Sequence, residues 1–127
     1  MSQLMAVLLN GIAQIEYDRS KPLPDHQAAY LDKMDRKMDA GIEMAGQVLV
    51  DPDLDQRTQF IAANLAHAIQ TNDETQAAAL TTYLAVRLTD LKQVRIKQQG
   101  EDFSIELVFD EDYVKQYPVT FRRPGHH

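Results

Sequence analysis

The chain has no cysteine and no tryptophan. Without thiols, disulfides, thiolate metal sites and cysteine nucleophiles are excluded, and the composition fits a reducing cytoplasm. Glycine and proline are scarce, five of each in 127 residues, which argues against long disordered tracts. The glycines stand apart at 11, 41, 46, 100 and 125, so there is no glycine-rich phosphate loop and nucleotide cofactors have no support. Nucleophile elbows, HExxH helices and EF-hand loops are missing too. No catalytic residue and no cofactor is therefore assigned.

Positive charge is not in surplus. The net charge of −6 disfavours broad nucleic-acid binding, because phosphate contacts need a basic surface. Long apolar runs are missing as well. The longest, Leu4 to Leu9, is far too short for a membrane span, and it lacks the basic leader of a signal peptide. The expectation is a cytoplasmic protein beginning at Met1 or Ser2, with neither nucleic acid nor membrane as partner.

What remains is a globular composition, 44% apolar and 25% charged, in a length suited to a single domain with its own core. The chain changes rhythm near Gln93. Before it, apolar residues recur at helical spacing; after it, Val94 to Phe109 alternates as strands do. A first helix is expected from Asp25 to Ala45, with Leu31, Met34, Met38, Ile42 and Ala45 as its stripe and Gly46 as its stop. Asp51-Pro52-Asp53 reads as the start of a second helix, Asp51 capping, running to Thr71. Asp73 with Gln76 resembles a capping box for a third, from Glu74 to Leu91. The short Asn72-Asp73 link makes an antiparallel helical hairpin of these two. A β-hairpin turning at Gln99 to Asp102 follows, with Tyr117 to Arg122 as a possible third strand.

The fold class is thus α+β: three helices, four at most, then a C-terminal hairpin or three-stranded antiparallel sheet. Residues 1–24 and 123–127 are expected to be peripheral. Within 1–24, Leu4, Val7 and Leu8 suit a short helix ending at Asn10-Gly11, while Ile12 to Tyr17 suits an extended segment.

Four groups of residues carry possible chemistry. Asp32, Asp35, Asp39 and Glu43 share one helix face, the kind of oxygen-rich stripe that hard cations seek; otherwise it is a solvated face with Asp32 paired to Arg36. His67 joins that face as a possible ligand or metal residue, with Tyr83 in the enzyme reading; with no orienting partner in sequence, it is otherwise a partly buried structural histidine. His26, His126 and His127 carry no role. Arg95, Lys97, Arg122 and Arg123 form a possible anion patch, or simply guard sheet edges. Phe60, Ala79, Tyr83 and Val86 lie off the main helical stripes. They are either buried because the third helix is sandwiched within the chain, or they press on another one.

Surplus apolar positions without catalytic motifs favour a small non-enzymatic interaction protein: an adaptor, regulator or assembly factor. Its partner would be another protein, or itself as a homodimer. The alternative is a small metal- or anionic-ligand-binding enzyme built on the acidic stripe or His67.

Overall fold

The first apolar run becomes the interior of a sheet. In the computed structural model, which describes residues 3–116, β1 (Leu4–Leu9) pairs antiparallel with β2 (Ile12–Asp18). The expectation of an irregular, peripheral segment is corrected over the two strands, and so is the short helix ending at Asn10-Gly11; residues 19–24 form neither helix nor strand. Asn10 and Gly11 both take positive φ, 50° and 84°, which suits a tight two-residue hairpin turn. Apolar residues at every position of β1 erase the alternation of a half-buried strand, because both faces of β1 are covered. Met5 and Val7 enter the main core; Ala6 and Leu8 enter a second, smaller cluster with Tyr113.

Three helices follow. The first, α1 (Asp25–Asp39), stops earlier than its stripe suggests. Gly41, at φ 137°, turns the chain, and its N–H donates to the Met38 carbonyl at 3.0 Å. Ile42–Met44 (β3) and Gln47–Leu49 (β4) then form a small hairpin around Ala45-Gly46, at φ 52° and 77°. Gly46 serves this turn and not a helix end. The misreading has a simple cause: Ile42, four residues after Met38, is buried whether the chain reaches it as helix or strand.

The second helix, α2 (Leu54–Gln70), is capped by Asp53 rather than Asp51. The Asp53 carboxylate accepts the Gln56 N–H at 2.8 Å, and Gln56 Oε1 accepts the Asp53 N–H at 3.0 Å, a reciprocal box. After Asn72-Asp73 comes α3 (Glu74–Arg87), whose first turn is capped by Asp73 accepting the Gln76 N–H at 3.1 Å. It ends short of Leu91. Arg19 reaches across to its last turn, donating to the carbonyls of Ala85 (3.2 Å) and Leu88 (3.0 Å), which the helix leaves open. Burial lowers the pKa of this guanidinium.

β5 (Gln93–Gln99) runs parallel to β1 and antiparallel to β6 (Asp102–Val108). The four-stranded mixed sheet has the order β2-β1-β5-β6, so the protein is α+β, with three helices among the described residues. Parallel neighbours need a long crossover, and the three helices supply it. The possible strand Tyr117 to Arg122 lies outside the described residues. Met5, Val7, Leu31, Leu65, Tyr83, Leu84, Leu91 and Val94 are fully buried between helices and sheet. Each such side chain contributes about 1.5–3 kcal/mol by leaving water. Among the described residues, no helix is long and apolar enough to cross a membrane.

Candidate functional site

The acidic face of α1 turns inward onto two arginines. Asp35 is the centre of a four-way contact. Its Oδ1 accepts the Tyr83 hydroxyl at 2.5 Å and Arg57 Nη1 at 3.3 Å. Its Oδ2 accepts Arg87 Nε at 3.0 Å and lies 2.9 Å from Arg87 Nη2. Arg87 Nη2 also reaches Asp32 at 3.0 Å, and Arg57 bonds Asp39. Arg57 Nε donates to the Pro52 carbonyl at 3.0 Å, which ties the start of α2 to the same cluster. The Arg87 guanidinium stands over the Tyr83 ring, 5.6 Å from its centroid.

This arrangement changes the reading of the stripe. Asp32 pairs with Arg87 on α3, not with Arg36 on its own helix. Glu43 leaves the stripe altogether, since it lies exposed on β3. Asp35 meets partners on both of its oxygens, and Asp32 and Asp39 each meet a guanidinium through Oδ1. Among the described residues, no group of three or more His, Asp or Glu side chains is placed to hold a metal ion. The cluster works as a clasp between α1 and the other two helices. Burial lowers the Arg87 pKa, but the charge and hydrogen bond of Asp35, then the hydrogen bond of Asp32, outweigh it and hold Arg87 above its ordinary value.

Tyr83 is fully buried, with its ring in the main core. The expectation that it lies on an interaction surface is corrected. It belongs to the sandwiched alternative, because its hydroxyl finds a charged partner inside the chain. Burial first, and the hydrogen bond to Asp35 second, push its pKa up to about 12. A tyrosine in the unfolded chain titrates near 10, about two units lower. Stability from Tyr83 is therefore fully present below pH ~10 and is lost as pH rises towards ~12. We expect the urea midpoint of the wild type to fall more steeply over that window than that of Tyr83→Phe. Parallel curves for the two proteins would contradict this linkage.

His67 is exposed in the last turn of α2 and forms no part of the clasp. Ala79 and Val86 are half-buried, and Val86 packs against the main core. Phe60 is half-buried too, but it faces a hollow. Between α1, β3, α2 and α3 lies a groove of about 370 Å³ walled by Tyr30, Met34, Met38, Ile42, Phe60 and Leu80. Lys37, Asn64 and Gln76 stand at its rim. Lys33, Arg36 and Lys37 are exposed on the same helix, and none of them pairs with a carboxylate among the described residues.

The anion patch is partly occupied by the chain itself. Arg95 Nη2 lies 2.5 Å from Glu111, and its Nη1 lies 3.9 Å from Glu106 across the strand pair. Lys92 lies 2.9 Å from Asp112. Lys97 is exposed, and Arg122 and Arg123 lie outside the described residues. Gln93, Glu16 and Tyr113 belong to this region although no local motif marks them. Tyr113 is buried over Ala6 and Leu8, and its hydroxyl donates to Glu16 at 2.5 Å. Lys115, then Tyr113, lower the Glu16 pKa by hydrogen bonding to the ionised carboxylate. For Tyr113 the shift is upward, through burial and then the bond to Glu16.

No family model, no curated protein and no solved structure matches this chain.

Proposed function

We propose that the protein is a small cytoplasmic, non-enzymatic interaction module whose helical hairpin α2–α3, with α1, receives an apolar segment of another protein. The observation that carries this reading is the open groove beside an unpaired basic flank. Tyr30, Met34 and Phe60 are only partly covered by their own chain, and Lys33, Arg36 and Lys37 stand free of carboxylate partners among the described residues. Methionine is well suited to such a wall, because its flexible thioether repacks around different shapes. The fitting occupant is an amphipathic helix with apolar anchors at helical spacing and acidic residues at its edge. The basic flank would steer it and set its direction.

The probe is a synthetic amphipathic peptide with leucine anchors and glutamate flanks, titrated against protein labelled at its methionine methyls. The methyls of Met34 and Met38 are expected to shift together. Met34→Glu, which sets a carboxylate against the peptide's leucine anchors, should weaken binding about tenfold or more, the order expected when covering an unpaired charge costs over ~1.4 kcal/mol. Unmoved methyls, or equal binding of a lysine-flanked peptide, would defeat the reading. Protection of Met34 that rises with protein concentration alone would replace the foreign segment by a second copy of the chain.

A further inference from the structure

The far face of the sheet, opposite the helices, carries a second surface with its own occupant. Residues 110–116 cross this face without forming helix or strand. Among the described residues, no main-chain-to-main-chain hydrogen bond ties Asp110 to Val114 to a strand. Side chains hold the segment instead. Gln93, itself only 4% exposed, donates from Nε2 to two successive carbonyls, those of Glu111 (2.9 Å) and Asp112 (3.3 Å). Arg95 Nε braces Gln93 Oε1 at 3.2 Å while Nη2 holds the Glu111 carboxylate. Lys92 holds Asp112. The Tyr113 ring fills the space over Ala6 and Leu8, a cluster separate from the main core. Gln116 closes the far end, accepting the Ala13 N–H at 2.7 Å and donating to the Gly11 carbonyl at 2.8 Å.

These contacts are the elements of peptide recognition: a buried amide reading two main-chain carbonyls, cations for two adjacent acids, and a socket for one aromatic ring. The segment has two buried anchors, the Gln93 amide and the Tyr113 ring with its hydroxyl on Glu16, and the ion pairs around them lie at the surface. Exposed ion pairs of this kind contribute about 0–1 kcal/mol each. The Asp112 and Glu111 carboxylates are 53% and 66% exposed, and Val114 is 81% exposed. Segments held by few buried contacts open far below the cost of global unfolding.

We propose that the far face of the sheet is an acceptor surface for an acidic, tyrosine-bearing peptide of another protein, and that residues 110–116 are its built-in competitor. The strap occupies the surface in the isolated chain; a partner segment of the form acid-acid-tyrosine displaces it. This surface lies on the opposite side of the sheet from the helical groove, so either can fail without the other.

The test uses the full chain and a fluorescent peptide with the sequence of residues 109–116. Glu111→Gln with Asp112→Asn weakens the strap through two exposed side chains and leaves both cores intact. This double variant is expected to bind the peptide about tenfold more tightly than the wild type, the factor that corresponds to ~1.4 kcal/mol of lost competition. Adding Arg95→Gln should reduce that affinity about threefold to fivefold, the factor that corresponds to roughly 0.7–1 kcal/mol for one exposed pair. Equal affinity of the wild type and the double variant overturns the proposal. So does equal binding of a control peptide carrying lysine in place of its three acids.

Discussion

Val7→Asp is expected to abolish cooperative folding, whereas Ile12→Asp, five residues further on, should change stability by no more than about 0.5 kcal/mol. Val7 is fully buried and lies between Ile15 of β2 and Val94 of β5 in register, beneath the helices. A carboxylate there has no cation within its apolar surroundings, and even its neutral form leaves polar atoms without partners. The cost exceeds about 4–5 kcal/mol, against a total stability of roughly 5–15 kcal/mol for a domain of this kind. Ile12 is 65% exposed at the start of the edge strand β2, where a charge meets water and also discourages strand-to-strand association. Far-UV circular dichroism and urea titration of both variants decide the matter. A Val7→Asp protein with a native, cooperative transition would show that β1 does not organise the core.

That contrast also explains which parts of the fold were legible in the amino-acid sequence. The alternation from Val94 to Leu107 and the cap at Asp73 are local signals, and each corresponds to a feature a few residues long. β1 carries no such signal, because burial on both faces removes the polar positions that reveal a period. Its partner β5 is separated from it by three helices, and nothing near either strand announces the pairing. The clasp was half legible. The three-and-four spacing of Asp32, Asp35 and Asp39 is visible, but the groups that give it meaning lie 22, 48 and 52 positions from Asp35. Read alone, the stripe is either a cation site or a solvated face; placed against Arg57 and Arg87, two of its three negative charges are balanced. The groove was legible only as Phe60 lying off its stripe. Met34 looks like a core residue by spacing, and only the early end of α1 and the turn at Gly41 leave it half-covered.

Asp35→Ala is expected to destabilise the protein by about 3 kcal/mol, the lower part of the range for removing one partner of a buried pair. For a chain of this length that lowers Tm by roughly 10 °C. The Asp35 side chain is 22% exposed, so water only partly replaces what is lost. Its removal leaves the Tyr83 hydroxyl buried without its acceptor, and two guanidiniums close to each other without the charge between them. Asp32 and Asp39 are 63% and 41% exposed and each meets one arginine, so their alanine variants should cost no more than about 1 kcal/mol. Asp35→Ala and Tyr83→Phe share a contact, so their effects should fall short of additive by about 1 kcal/mol. A further substitution separates attraction from unmet desolvation. If the cost of Asp35→Ala comes chiefly from stranded charges, Asp35→Leu combined with Arg57→Met and Arg87→Met should recover most of the loss, as apolar replacement of whole buried ion clusters often does. If the clasp is held by net attraction, the triple variant should be no more stable than Asp35→Ala. An Asp35→Ala protein within about 1 kcal/mol of the wild type would remove the clasp from any account of how α1 is fixed to α2 and α3.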